Sequence, residues 1–488
     1  MVRATLARTS IVIGLLALSG CTLWVPRGPV ADFFLKDYEL ADYQPDEADF
    51  AREVRQVEPS GSSSALGGLV GTLAGGRRGA QTPAASPGFG GLGGAVTANL
   101  YDRAQRSEPL PKEFELFALA LPIIATDPNQ GPTVGMLPVG VFKEQTRITN
   151  ILAPDVTYNE IAGYGAIFRL RRAFSRDADL LVDAGTSTEG NDDYQIQYRQ
   201  RQVGPNRAIY YTAQFWYTTQ LAQRFYGIGN ETEDDAESSY VFRRTLARGL
   251  LGFELPFDFN VELSERITSY KVGPGRLDDV ASTKAAFPDV PGVSDGRISI
   301  LTHRVALIYD SRDSITTPTQ GIFGRFTYEL SDSSLGSDID FQRFGLQLTV
   351  LIPKFKKKLT SVVNFNGWIM TGDKIPFFEL TQLGGKNTIR GYGQGRFVDQ
   401  NGYAINFEER WNAIQYEIAG VDIVVQLAGF IDAGRVFAEG ERFKFKDTKI
   451  AAGGAVRVVV PDSELVASID MGFSDEGSAV FVGLDYPF

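Results

Sequence analysis

Between residues 113 and 488, apolar residues recur at every second position in runs of about ten, separated by clusters of Gly, Asp, Asn, Ser and Pro. A period of two places successive side chains on opposite faces of an extended strand, which confines this stretch to an all-β fold. Over residues 257–268, Phe257, Phe259, Val261, Leu263 and Ile267 share one face, interrupted by Glu265. Asp258, Asn260, Glu262, Ser264, Arg266 and Thr268 share the other. Phe344, Leu346, Leu348 and Val350 likewise oppose Arg343, Gln347 and Thr349. At the end of the chain, Val480, Val482, Leu484, Tyr486 and Phe488 fall on one face, with Asp485 on the other. A soluble sandwich or propeller with one wet face would alternate too. Such a pattern over so long a domain, behind an export signal, is best explained by a transmembrane antiparallel β-barrel with an apolar outer face and a polar lumen.

That export signal occupies the N-terminus. Arg3 and Arg8 precede an apolar stretch at 11–18 (IVIGLLAL). It is far shorter than the roughly 20 residues that cross a bilayer as a helix. No other segment approaches that length and apolarity, so any further membrane insertion must use strands. Leu18-Ser19-Gly20-Cys21 follows and resembles the lipobox of bacterial lipoproteins, in which cleavage before Cys frees a thiol for diacylglyceryl transfer. Cys21 is the only cysteine in the chain. The alternative is an ordinary signal peptide with an incidental Cys. Thr22, where an Asp commonly favours inner-membrane retention, is compatible with delivery to the outer membrane. Residues 1–20 are therefore read as a lipoprotein signal peptide and 21–112 as a lipid-anchored tether. Residues 59–96 hold 12 Gly among 38 positions, a composition that loses much entropy on ordering and has little to bury. Residues 46–57 suit either a short amphipathic helix or a solvated charged segment.

Composition removes several function classes. Lys and Arg number 48 against 59 Asp and Glu, a net charge of −11, which argues against nucleic acid as a partner. One cysteine excludes an intramolecular disulfide and a Cys-rich zinc module, and one histidine, His303, excludes a paired-histidine metal motif. No Gly-x-Ser-x-Gly elbow appears, and the Gly-rich tract 66–76 lacks the Gly-Lys-Ser/Thr ending of a phosphate loop. Asp310 and Asp313 flank Arg312, which points to an ion-pair network rather than a cation site. The expectation is a non-enzyme with no cofactor and no metal.

The motifs point to one family. Residues 384–397 read GGKNTIRGYGQGRF and residues 430–437 read FIDAGRVF. Together they resemble the BamA/TamA outer-membrane assembly family, the bacterial surface antigen proteins, and the related two-partner secretion transporters. That family carries a (Val/Ile)-Arg-Gly-(Tyr/Phe) loop folded back into the lumen, whose arginine meets an acidic residue in a Phe-x-Asp-x-Gly context on a later strand. Ile389-Arg390-Gly391-Tyr392 and Phe430-Ile431-Asp432-Ala433-Gly434 are the matching positions. Asp310-Ser-Arg-Asp313 with Pro318-Thr-Gln-Gly321, Phe225-Tyr-Gly-Ile-Gly-Asn230 and Glu408-Glu-Arg410 match further segments in order. Gly483-Leu-Asp-Tyr486-Pro-Phe488 resembles the C-terminal signal read by the outer-membrane assembly machine, with Phe481 where a polar residue is usual. The resemblance implies 16 strands, or 23.5 residues per strand and connection over the 376 positions of 113–488. Candidate runs alone total 18, seven of them in the less regular 113–220, so two early runs are not counted as separate strands. Members that insert or secrete proteins normally carry periplasmic POTRA modules. No β-α-α-β-β pattern stands out in 22–112, so the chain reads as a short member: lipid, tether, barrel.

Alternation also argues for the loop directly. Asp432 shares parity with Gln426 and opposes Ile423, Val425, Leu427 and Ile431, which puts its carboxylate in the lumen. Tyr403, Ile405, Phe407 and Trp411 suit lipid, so Asn406, Glu408 and Arg410 point inward. A guanidinium from the Gly-rich loop meeting that carboxylate makes a bidentate pair able to fasten a long connection. The alternative is a solvated extracellular loop in which Arg390 is incidental, with the lumen Asp432 paired elsewhere. The expected function is an outer-membrane barrel assisting insertion or translocation of outer-membrane components, its seam between first and last strands weak. A passive pore or structural lipoprotein of the same fold is the alternative. Expected partners are outer-membrane lipids, with outer-membrane protein clients or a periplasmic assembly partner.

Overall fold

The computed structural model describes residues 115–488, except 128–130, 145–146, 176, 205–207, 278, 315–316, 419–420, 461–464 and 484–485. The signal segment, Cys21 and the whole of the 21–112 tether lie outside the described residues.

Strands dominate from the start. They run β1 Glu115–Asp127, β2 Gly131–Glu144, β3 Arg147–Leu152, β4 Asp155–Asn159, β5 Gly163–Ala173, β6 Ala178–Ser187 and β7 Asp192–Val203. Next come β8 Ile209–Phe225, β9 Ser238–Glu254, β10 Phe259–Pro274, β11 Ala281–Ser282, β12 Arg297–Asp310, β13 Gly321–Ser331, β14 Phe341–Lys354 and β15 Leu359–Thr371. The last are β16 Thr381–Leu383, β17 Phe397–Asp399, β18 Asn401–Ile418, β19 Val421–Phe437, β20 Lys449–Val460, β21 Leu465–Ser474 and β22 Gly477–Gly483. Twenty of these form one sheet, each long strand antiparallel to the next, and β16 and β17 pair separately. No helix among the described residues is long and apolar enough to cross a membrane.

The strand count departs from the expected 16. β3 and β4 both pair with β2 on one side and β5 on the other, so they are two pieces of one stave. β11 is a two-residue strand parallel to the start of β9. The 20 strands thus reduce to 18 staves among the described residues. The early runs are all separate staves because each has its own antiparallel ladder to both neighbours, from β2 through β8. Cα atoms of β1 and β22 approach within 8 Å, with no ladder between them among the described residues.

Burial follows the alternation. On β14, Phe344, Leu346, Leu348 and Ile352 are exposed while Thr349 is buried, and on β21 Ile469, Met471 and Phe473 are exposed around a buried Asp470. Apolar outside and charged inside inverts a soluble protein, and a lipid solvent accounts for it. Glu265 breaks the apolar row as expected. It stands opposite His303 on β12, whose Nδ1 is 2.6 Å from its carboxylate, so the polar interruption is a cross-strand pair on the outer face.

Three readings of facing need correction. Phe257 and Asp258 do not begin the strand: both have φ of 63°, in the turn between β9 and β10, and Phe257 is exposed. Tyr403 has outward parity, yet Phe443 and Phe445 of the β19–β20 connection cover it, and its hydroxyl hydrogen-bonds with Thr448 at 2.7 Å. The apolar row of the C-terminus also ends early. β22 stops at Gly483, and beyond it Tyr486 and Phe488 turn into the lumen, where arginine faces receive their rings.

Candidate functional site: the lumen loop and its charge network

The connection between β15 and β18, residues 372–400, folds inward and carries its own apolar core. Ile375, Phe377 and Leu380 pack with Phe225, Tyr240, Tyr270 and Phe341 of the wall. Deeper, Leu383, Ile389, Tyr392 and Phe397 pack with Ala404, Val436 and Ala451. The short β16–β17 ladder stiffens the two arms of the loop. Between them lies a turn whose glycines are required by close approach. At Gly384, φ is 102° and an added Cβ would stand 2.2 Å from the Gly393 carbonyl oxygen.

Arg390 sits at the tip, fully buried. Its Nε and Nη2 donate to the two carboxylate oxygens of Asp432 at 2.8 and 2.9 Å, the planar two-pronged arrangement peculiar to guanidinium. Its backbone N–H adds a third bond to Asp432 at 3.0 Å. Nη1 donates to Glu408 at 2.5 Å and to Asp470 at 3.2 Å. Phe430 lies 3.5 Å below the guanidinium, in cation–π contact. Asn406 clamps from the side, donating to Asp432 at 2.9 Å and to the loop carbonyl of Thr388 at 2.6 Å.

The network extends beyond that pair. Arg457 on β20 reaches Glu408 at 2.6 and 3.0 Å and Asp470 at 2.6 Å. Arg410 donates to Glu408 at 2.7 Å and lays its face on Tyr486 at 3.8 Å. Three guanidiniums meet three carboxylates here, drawn from the loop and four adjacent strands, all at most 1% exposed. Their formal charges cancel, which burial of so many ions requires. Among the described residues no group of three or more His, Cys, Asp or Glu is placed to hold a metal.

The expected lock residues Arg390, Glu408 and Asp432 are thus brought together. Gly391 and Tyr392 anchor the adjacent rim: Ser474 donates to the Gly391 carbonyl at 2.8 Å, and the Tyr392 hydroxyl donates to Asp475 at 2.5 Å. Phe488 lies 5.2 Å from the Arg390 guanidinium, so the chain end joins the lock region rather than a lipid-facing row. Gly483 closes β22, apart from the network. Sequence reasoning missed Arg457 and Asp470. Each is the lone charge in an apolar run, at inward parity between Val456 and Val458 or between Ile469 and Met471. That signal was present. Arg396 was also missed; it donates to Glu476 at 2.7 Å and to Thr232 at 2.7 and 2.8 Å, tying the loop's far arm to the β8–β9 connection.

At the turn carrying Asp310 and Asp313, Arg312 grips both Asp310 oxygens at 2.9 Å. Asp313 caps the turn instead, accepting from the Thr319 and Gln320 backbone N–H groups at 2.8 and 3.1 Å and from Lys357 at 3.0 Å.

Comparison with known proteins agrees with this architecture. Residues 182–474 match the Omp85 superfamily domain. Among solved structures, BamA from Haemophilus ducreyi lacking POTRA domains 1–3 is similar at 14% identity, with 80% of this chain and 76% of that chain covered and a TM-score of 0.50. CdiB from Escherichia coli aligns at 11% identity over 78% of this chain and 68% of that one, with a TM-score of 0.42. No curated protein matches the chain. The matched domain spans more than half of the 488 residues and takes in Arg390, Glu408, Asp432, Arg457 and Asp470. The chain belongs to the Omp85 superfamily of outer-membrane β-barrels.

Proposed function

We propose that this barrel assists insertion or translocation of other outer-membrane components, without catalytic chemistry. The observation that carries the reading is the loop pinned through Arg390 to strands β18, β19 and β21, in a chain of Omp85 type. A fastened loop holds the C-terminal half of the wall rigid, and on this reading the seam between the first and last strands is where an incoming strand pairs its backbone. On this reading Arg390, Gly391, Tyr392, Glu408 and Asp432 form a structural lock. Gly483, Tyr486 and Phe488 form the chain's own assembly signal. Outer-membrane lipids and unfolded barrel proteins are the partners, the latter delivered directly or by a periplasmic protein.

Depletion of the protein followed by quantitative proteomics of the outer membrane tests this. Broad loss of other barrel proteins is the expected result. A normal proteome with altered permeability would replace the reading with that of a passive pore.

A further inference from the structure

A second charged cluster lines the lumen, apart from the lock. A cavity of about 430 Å³ lies between the wall formed by β8 to β15 and the inserted connection. Arg244, Arg248, Arg266, Arg304, Arg325 and Arg343 line it, against two acidic side chains, Glu329 and Glu379, with the last residue, Phe488, also at its wall. The whole chain is acidic at −11, so this is a local reversal of sign.

Pairing inside the cavity is incomplete. Arg343 takes Glu329 at 2.9 Å and Glu379 at 3.2 Å; Arg304 and Arg266 share the same two carboxylates at 3.7 Å. Arg325 has Glu262 at 3.9 Å. Arg244 and Arg248 have no carboxylate within 4.0 Å among the described residues; Arg244 lies instead on the Trp216 ring at 4.0 Å. The Nε atoms of Arg244, Arg248, Arg304 and Arg325 are buried without a hydrogen-bond partner among the described residues. Arg248 also stands directly across the ladder from Arg266, and facing like charges destabilise a strand pair. An anion in the cavity relieves the repulsion, since the guanidiniums that line it carry more positive charge than the neighbouring carboxylates offset.

We propose that this cavity binds phosphate-type oxyanions, with Arg244 and Arg248 as the principal donors. A guanidinium fork matches two oxygens of one phosphate, and a tetrahedral anion can accept from several forks at once. The two lining glutamates are already engaged by arginines, which reduces their repulsion of an entering anion. The site stands whether or not the barrel assists insertion.

The test is isothermal titration of the purified full-length chain in detergent with inorganic phosphate and, separately, glycerol 3-phosphate as a soluble headgroup fragment. Saturable binding is expected, weakened about tenfold or more in the Arg244→Gln/Arg248→Gln variant, since hydrogen bonds to charged groups are the strong class. Equal affinity for both probes assigns the site to free phosphate; tighter binding of the ester assigns it to a lipid headgroup. Lack of saturable binding of either probe, or undiminished binding by the double variant, overturns the proposal. Should the Gln variant lose its heat-modifiable band, Arg244→Lys/Arg248→Lys decides: a several-fold weakening supports the site, and wild-type affinity overturns it.

Discussion

At the scale of single residues, the lock depends as much on an absent side chain as on charges. A Cβ at Gly472 would stand 1.2 Å from the carbonyl oxygen of Arg390, whereas one at Gly429 would meet nothing within 4 Å. Gly472→Ala should therefore lift the loop and raise its protease sensitivity, while Gly429→Ala should digest like wild type. Removing one partner of a buried ion pair costs about 3–5 kcal/mol, because the other charge stays behind. Arg390→Ala should exceed Asp432→Ala in loop proteolysis and unfolding assays, since Arg390 also serves Glu408 and Asp470. The double variant should fall short of the summed defects, and Arg390→Lys should rescue only in part. Summed defects in the double would show that the two residues act independently. Glu408 and Asp432 were legible because inward parity and the motif agreed. Arg457 and Asp470 had the parity alone, and parity names a face without naming a partner. Their contact depends on how three ladders register against one another.

Elements show where local pattern yields to tertiary contact. The row through Val480 and Val482 suggested that Tyr486 and Phe488 continue toward lipid. Their rings instead stack on Arg410, Arg457 and Arg390, and an aromatic face against a desolvated guanidinium outweighs one more apolar contact. Deleting Phe488 should slow assembly, read as delayed heat-modifiability, and should also raise protease access to the loop. Normal kinetics with an intact loop would remove both roles. The turn between β12 and β13 is a pH-dependent element. Burial of Asp313 tends to raise its pKa, but hydrogen bonds from Thr319, Gln320 and Lys357 outweigh it and hold the carboxyl below its usual range. A depressed pKa contributes stability that is full above the unfolded-state value and lost as pH falls through the folded one. Hydrogen exchange at Thr319 and Gln320 should thus lose protection on acidification in wild type. Asp313→Asn should flatten that loss; an identical profile would disconnect Asp313 from the turn.

For the whole molecule, period-two alternation over a long domain, read together with the export signal, delivered the barrel, and counting runs delivered 18 staves. The error came from trimming that count to a relative's 16, since staves can be added without disturbing the lumen loop. The inserted loop's position was legible through its motif and through the inward parity of Glu408 and Asp432, because local hydropathy by itself does not say that a Gly-rich connection turns inward. One expectation concerns residues beyond the described ones, and it separates two means of membrane attachment. Buried acyl chains contribute about 0.8 kcal/mol per CH₂, so a multiply acylated Cys21 should hold the N-terminus firmly to a leaflet. The outward rows of β5 to β21 present far more apolar surface to lipid than any anchor. Cys21→Ser should therefore abolish labelling by a radioactive lipid precursor while leaving the protein in the membrane fraction after carbonate wash. Label retained in the variant would refute acylation at Cys21. A variant released into the soluble fraction would mean that the anchor, not the strands, holds the chain, and the lipid-facing assignment of those rows would fall with it.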